Sequence, residues 1–442
     1  MAPKNRVIID TDPGVDDVLA ILYALASKSS DLEVVMLSLT HGNVDVRSCL
    51  RNVVAVFHVL EKELAWRREK NLPEGFEGIR HFKPIVAIGA EEPLQDQIES
   101  DFFHGVDGLG GIHASHPHHF TPEEEWAHLF EEPPPNPDLT RLAESTSAGG
   151  TDLQNPTQSF TPSLLPAHGE ILRILRENEP DTITLVSIGP LTNFALAAAE
   201  DPETFLRCKE VVSMGGTVVD LVGNVTPVAE FNVYADPYAA ARVYALTSPN
   251  PASTMPPPAK TDAPSALLPP YPTSLSRTLK LRLMALDLTE HHMLSRRQLT
   301  QAASELAAAG SPLAQWMMSF MTPMLDKMER LHLGHEGDGA ALALHDPMCL
   351  WWVTTQTHPG WVASEKSPED VRIETQGQWT RGMTVGDRRA RRRRGSDGER
   401  SYDRDNWLGN SSGNRVFRMV KSPGVDLAAV EFLDTILGVK DK

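Results

Sequence analysis

Apolar and polar positions follow two rhythms along the chain, and their alternation predicts its elements. Val7-Ile8-Ile9 is a short unbroken apolar run, the pattern of a strand buried on both faces. From Asp16 to Ser27 apolar residues recur at helical spacing, and Leu32 to Thr40 is a β-branched run suited to a second buried strand. Val44 to Glu63 is again helical in period, and Pro84–Gly89 reads as a strand. The same rhythm returns at Ile183–Gly189, Thr192–Glu200, Val211–Gly216, Asp236–Leu246 and Leu281–Leu288. Strands alternating with helices imply βαβ units and a mostly parallel sheet, which binds ligands at the carboxyl ends of its strands. The expected fold is a single α/β domain with a Rossmann-like sheet flanked by helices.

Three stretches break the rhythm: 113–163, 248–275 and 387–414. The first holds His113, His116, His118 and His119, then Pro133-Pro134-Pro135 and a Ser/Thr/Gly-rich tract. The second is dense in proline and serine, and the third carries arginines at 388, 389 and 391–394. Such compositions offer little to bury, so all three are expected to be flexible surface insertions. They account for a length of 442 residues, which by itself suggests two or three domains. The histidines are then expected in a solvated loop rather than a metal site. The arginine run is expected in a charged loop rather than an import signal. Trp351 and Trp352 lie on a predicted helix and are expected in the core.

Charge narrows the functional classes. A net charge of −18 argues against a general nucleic-acid binder, which needs a basic face for phosphates, but leaves neutral small molecules open. Cys49, Cys208 and Cys349 are too few and too scattered for a disulfide framework or a CxxC metal knuckle. The apolar run after Met1 is too short for a signal peptide, and no membrane-length apolar run follows, so a cytoplasmic protein is expected.

The chemistry concentrates in Asp10-Thr11-Asp12-Pro13-Gly14-Val15-Asp16-Asp17, where the first strand gives way to the first helix. Asp10 and Asp12 are two apart, so an extended backbone points both to one side. Pro13 and Gly14 make the turn, and Asp16 and Asp17 open the helix. One aspartate here can cap a helix, worth about 1 kcal/mol. Four so close together repel one another, and a hard divalent cation with oxygen ligands, Ca²⁺ or Mg²⁺, is the natural remedy. An EF-hand loop begun at Asp10 would want Gly at Val15 and Glu at Ile21, and neither is present.

This segment resembles the N-terminal signature of the inosine–uridine-preferring nucleoside hydrolase family. The resemblance recurs in order at His41-Gly42-Asn43, Gly105-Val106-Asp107-Gly108-Leu109-Gly110 and Ile188-Gly189-Pro190-Leu191-Thr192-Asn193. It continues at Met214-Gly215-Gly216, Gly223-Asn224, Ala229-Glu230-Phe231-Asn232 and His345-Asp346-Pro347. It implies hydrolysis of the N-glycosidic bond of ribonucleosides, uridine and inosine favoured. By resemblance, Asp12 is the catalytic base, and Asp12, Asp17, Asp346 and the backbone carbonyl of Ile188 ligate Ca²⁺, with Asp10 supporting the metal shell. The cation would lower the pKa of the attacking water and clamp the ribose 2′- and 3′-hydroxyls. Asp16 and Asn232 are implied as ribose partners, with Asn43 close by, and Asn224 and Glu230 as the pair that grips the 5′-hydroxyl. His345 resembles the family's acid for the departing base, and His104, before the Gly-rich loop, is a secondary substrate contact. A homodimer or homotetramer is expected on the same basis; that no nucleic acid or membrane is a partner is expected from the net charge and the lack of a membrane-length apolar run. Two alternatives stay open: a non-catalytic nucleoside-binding protein, and another divalent-metal hydrolase such as a phosphatase.

Overall fold

In the first strand, β1 (Asn5–Thr11), Val7 and Ile9 pack into one hydrophobic cluster and Ile8 into another, and all three are fully buried. That is the period of two of a strand covered on both faces. The structure is a computed structural model, and it describes residues 3–95, 103–131, 159–257, 268–331, 336–389, 391 and 403–438. After β1 the chain runs through α1 (Val15–Ala26), β2 (Leu32–Leu39), α2 (Val46–Glu69), β3 (Ile85–Ile88) and the short edge strand β4 (Thr161–Pro162). The second half adds α3 (Ala167–Glu177), β5 (Thr184–Ser187), α4 (Thr192–Glu200), β6 (Glu210–Met214), α5 (Phe231–Ala235), α6 (Pro237–Ala245) and β7 (Leu281–Met284). The apolar run 281–288 thus divides into β7 and a helical turn, Leu286–Thr289.

The remaining elements are β8 (Met293–Ser295), α7 (Arg296–Ala308), α8 (Pro312–Leu331), β9 (Ala341–Ala343) and α9 (Pro347–Thr355), then β10 (Val362–Ala363), β11 (Val371–Ile373), β12 (Thr384–Gly386), β13 (Val416–Lys421) and α10 (Val425–Leu437). The central sheet has the order β10-β13-β7-β6-β5-β1-β2-β3-β4. Every pairing in it is parallel except that of β10 with β13. The expected α/β architecture is therefore the observed one.

Helices cover both faces. Tyr23, Phe57, Trp316, Phe320, Trp351 and Phe432 fill one side, and Phe194, Phe205 and Tyr244 the other. Trp351 and Trp352 are buried, as their helical setting predicts. Truncating a sheet residue such as Ile9 to Ala would cost about 2–5 kcal/mol, because a rigid parallel sheet cannot collapse into the gap.

The three insertions contain more packing than their composition suggests. In the first, Phe120, Trp126 and Phe160 are buried, which a stretch expected to bury little does not predict. In the second, Arg242 reaches over from α6 to lie 4.9 Å from the Tyr271 ring and to donate to the Pro269 carbonyl at 2.7 Å. In the third, the buried Asn414 donates to the Val371 carbonyl at 2.7 Å and accepts from Thr254 Oγ1 at 2.6 Å. The parts of these insertions at 132–158, 258–267, 390 and 392–402, with Arg392–Arg394 of the arginine run, lie outside the described residues. Among the described residues no helix is long and apolar enough to cross a membrane, and Cys49, Cys208 and Cys349 are free and buried.

The order of the sheet places the site. From β1 the chain moves outward through β2 and β3, whereas from β5 it moves the other way through β6 and β7. The strand order reverses between β1 and β5, and a crevice opens there at their carboxyl ends. Asp12 follows β1 and Ile188 follows β5.

Candidate active site

Asp17 organises the turn from β1 into α1. Its carboxylate accepts from Thr11 Oγ1 at 2.6 Å, from the backbone N–H of Gly14 at 3.0 Å and from Asn43 Nδ2 at 3.0 Å. Gly14 is required by close approach, since a Cβ there would lie 2.8 Å from Asn43 Nδ2 and 3.0 Å from the His104 ring. Asn43 also holds Asp12: its backbone N–H donates to Asp12 Oδ2 at 2.6 Å. The other carboxylate oxygen, Asp12 Oδ1, is buried with no hydrogen-bond partner among the described residues. A buried anionic oxygen without a donor is costly and calls for a cation or a proton.

The distal acids close on this turn. Asp346 stands at the N-cap of α9, yet its side chain makes no capping hydrogen bond. Instead Asp16, Asp17 and Asp346 each bring a carboxylate oxygen within 4.8 Å of the other two. Asp16, expected at the sugar, is thus the third member of this acidic group, whereas Asp12 sits beside it. The Ile188 carbonyl accepts from Asn232 Nδ2 at 3.1 Å, which orients it toward the same crevice. Asp10 lies behind, fully buried, accepting from Asn193 Nδ2 at 2.8 Å and from the Ser38 hydroxyl.

Electrostatics follow from this crowding. Burial pushes the Asp10 and Asp16 carboxyls up to about 7, and for Asp16 repulsion from Asp17 adds to it. Burial, then Asp17, raises Asp12 well above the ordinary carboxylate range, and burial with Asp16 does the same for Asp346. Such shifts mark carboxylates held together without a counter-charge. The donors are all oxygens, the ligand set of a hard divalent cation, and the acidic cluster can hold one.

A cavity of about 500 Å³ opens from the cluster. Asp16, Asn43, Ile188, Asn232 and Asp346 line its floor, and Asn224 and Glu230 one side. Glu230 is the N-cap of α5: its carboxylate accepts from the backbone N–H groups of Asn232 at 2.8 Å, Val233 at 3.0 Å and Gly216 at 2.8 Å. Asn224 Oδ1 accepts from the Phe231 N–H at 2.9 Å, which ties the loop to the same cap. Phe103, His104, Met293, Met328, Leu342 and His345 complete the lining, with His104 against the acidic turn. His345 Nδ1 is 2.8 Å from the Thr289 hydroxyl, and burial lowers its pKa to about 4. His104 Nδ1 accepts from the Val15 N–H at 3.2 Å, with Nε2 3.8 Å from Asp16 Oδ1, and burial foremost pulls its pKa down to about 3. The structure therefore brings every sequence-predicted site residue to one crevice or directly behind it.

The sequence assigns no role to several supporting residues. Asn52, buried on α2, donates to the carbonyls of Pro13 and Asp107, both at 2.9 Å, and so fixes the Gly-rich loop to the acidic turn. Asp107 shapes that loop by accepting from the N–H groups of Leu109, Gly111 and His113. Asp287 accepts from three consecutive N–H groups, Val218, Val219 and Asp220, at 2.8, 2.9 and 2.8 Å. It anchors the loop that leads to Asn224, and Arg388, the first of the arginine run, donates to the Val218 carbonyl at 2.8 Å from the other side.

The family model of the inosine–uridine preferring nucleoside hydrolases matches residues 7–406. The chain belongs to this family. Among curated relatives of this nucleoside hydrolase, the pyrimidine-specific ribonucleoside hydrolase RihA of Salmonella typhimurium is 28% identical over 386 residues, covering 86% of this chain and 88% of the relative. An uncharacterized protein of Schizosaccharomyces pombe is 28% identical over 382 residues, covering 86% and 89%. Among solved structures, a plant nucleoside hydrolase, PpNRh1, aligns with a TM-score of 0.62 at 20% identity over 98% of this chain and 99% of its own. The purine-preferring ribonucleoside hydrolase from Gardnerella vaginalis gives 0.61 at 21% identity, covering 98% of each chain. At these identities the structural likenesses speak for the nucleoside hydrolase fold.

Proposed function

We propose that the protein is a Ca²⁺-dependent ribonucleoside hydrolase that releases ribose and the free base, with uridine and inosine favoured. The observation that carries this reading is the meeting of Asp16, Asp17 and Asp346 at the floor of a cavity that also presents Asn224, Asn232 and His345. Asp12, Asp17, Asp346 and the Ile188 carbonyl would hold the cation, with Asp10 supporting them from behind. Bound there, Ca²⁺ would lower the pKa of the attacking water and fix the ribose 2′- and 3′-hydroxyls.

The side chains then divide the work. Asp12 is the general base, its unpartnered Oδ1 taking the proton of the attacking water. Asp16 and Asn232, with Asn43 beside them, bind the ribose hydroxyls. Asn224 and Glu230 take the 5′-hydroxyl. A 5′-phosphate would meet Glu230 with like-charge repulsion, and no lysine or arginine lines the cavity among the described residues, so nucleosides are preferred over nucleotides. Burial keeps His345 neutral in the empty site. As the acid it would act in its protonated form, giving a ring proton to the departing base and returning to neutral imidazole, with the Thr289 hydroxyl 2.8 Å from Nδ1 orienting the ring. His104 is a second contact on the base side.

Relatives bear names for both pyrimidine and purine substrates, so the base preference rests on this end of the cavity. His345→Ala is expected to lower kcat on inosine by about 100-fold, the contribution of a positioned acid. The loss on uridine is expected to be smaller, because uracil lacks the N7 at which an acid can protonate a departing purine. Steady-state kinetics on both substrates check this, and equal, negligible losses remove His345 from the acid role. Asp287→Ala, which releases the loop leading to Asn224, is expected to raise KM about tenfold while changing kcat less than about threefold. An unchanged KM would mean that the loop holds its place without this anchor.

The direct test is purified protein with Ca²⁺ and uridine, inosine, cytidine or adenosine, assayed for free ribose. Uridine and inosine should yield it fastest. Ribose from none of the four would overturn the enzymatic reading.

A further inference from the structure

Four carboxylates line the cavity among the described residues: Asp16, Glu230, Glu290 and Asp346. Three are committed. Asp16 and Asp346 meet Asp17 in the acidic cluster, and Glu230, oriented by three backbone N–H groups, is assigned to the 5′-hydroxyl. Glu290 is the fourth. It lines the cavity and directly follows Thr289, the residue whose hydroxyl meets His345 Nδ1, which sets its backbone beside the His345 end. Its neighbours on that wall, Met293, Met328, Leu342 and Ala343, offer no hydrogen-bonding side chain beyond the methionine sulfurs. Among the described residues no lysine or arginine lines the cavity to neutralise it.

An ionised carboxylate accepts hydrogen bonds and cannot donate them. Exposed at the cavity wall, with Met293, Met328, Leu342 and Ala343 also in the lining, it discriminates by what the ligand's edge presents. We propose that Glu290 reads the outer edge of the base by accepting a hydrogen bond from a ring or amino N–H. The pocket then takes bases that present such a donor, and rejects those that present acceptors alone or carry a negative charge. This rests on the hydrolase reading only for the orientation of the nucleoside, sugar toward the acidic cluster and base toward His345. Hypoxanthine and uracil each offer one ring N–H on that edge. Guanine offers a ring N–H beside an amino group, which a carboxylate can grip with both oxygens.

The test compares inosine with 1-methylinosine and uridine with 3-methyluridine, pairs that differ by loss of the ring N–H. They are assayed on the wild-type chain, Glu290→Gln and Glu290→Met. Wild type should prefer the unmethylated member by at least about tenfold in kcat/KM, because a charge-assisted bond is lost and a carboxylate left facing a methyl group. Glu290→Met keeps the bulk but not the acceptor, so its ratio should fall to within about twofold. Glu290→Gln, whose amide oxygen still accepts, should retain part of the preference. A wild-type ratio near one, or the same ratio in Glu290→Met as in wild type, overturns the proposal. The same ratios read as Kd by calorimetry on the Asp12→Asn background separate the two ideas. Failure to release ribose from any nucleoside would sink the hydrolase reading, while the Kd ratios would still decide the role of Glu290.

Discussion

Asp12→Asn is expected to lower kcat on uridine and inosine by at least about a thousandfold, through loss of the base and of a cation ligand, while leaving the protein folded. Asp12 is wholly buried, with Oδ2 held by the Asn43 N–H and Oδ1 unpartnered. An amide can keep the bond to Asn43 through its oxygen, and it occupies nearly the same volume. It cannot take a proton from water near neutral pH. Space around the side chain is tight: a Cβ on Gly42 would lie 1.9 Å from Asp12 Oδ2, and one on Gly189 2.5 Å from Oδ1. An isosteric change therefore tests chemistry where a larger one would test packing. Removing one of several mutually repelling acids also relieves the metal-free protein. Its Tm in chelator should equal or exceed that of wild type. Near-normal kcat in a folded Asp12→Asn protein would show that another group activates the water.

The second large effect concerns the cation and pH together. In chelator, Tm is expected to fall as pH rises from about 4 to about 8, and Ca²⁺ to reverse the fall. Asp10 and Asp16 are pushed up to about 7 by burial, and Asp12 and Asp346 lie well above the ordinary carboxylate range, whereas unfolded aspartates titrate near 3.9. Between those values the folded chain holds more protons than the unfolded one, so folding stability falls with rising pH. Their stabilising effect is complete below about pH 4 and is lost as pH passes through the folded values. A divalent cation takes the place of those protons. The rise in Tm on adding Ca²⁺ should grow from pH 5 to pH 8 and reach at least about 5 °C at the upper end. Calorimetric scans across this range are decisive. A flat profile in chelator, or a Ca²⁺ effect independent of pH, would mean that the cluster is not where the cation binds.

The sheet and the acidic turn were legible in the sequence because both are local. Val7-Ile8-Ile9 shows a two-faced strand in three residues, and Asp10 to Asp17 holds its carboxylates within one strand–helix junction. Asp346 and Ile188 could be joined to that junction only through resemblance, because no local pattern ties residues so distant in the chain. The supporting contacts were hidden for the same reason. Asn52, Asp287 and Thr289 are ordinary residue types whose roles arise only when separate loops meet over the crevice. Glu230 shows a different limit, since its spacing from Asn224 gave no sign that three backbone N–H groups claim its carboxylate. Trp126 shows a third: Pro- and Ser-rich surroundings predict little burial, yet one large aromatic among them reaches the core.

The central claim is ribonucleoside hydrolysis that depends on a cation at Asp12, Asp17 and Asp346, and one measurement addresses it most directly. The full chain is stripped of metal with chelator, then assayed for ribose release from uridine and inosine before and after Ca²⁺ is returned. The account predicts a loss of at least about a thousandfold on stripping and full recovery with Ca²⁺. Undiminished ribose release from the metal-free chain would contradict it.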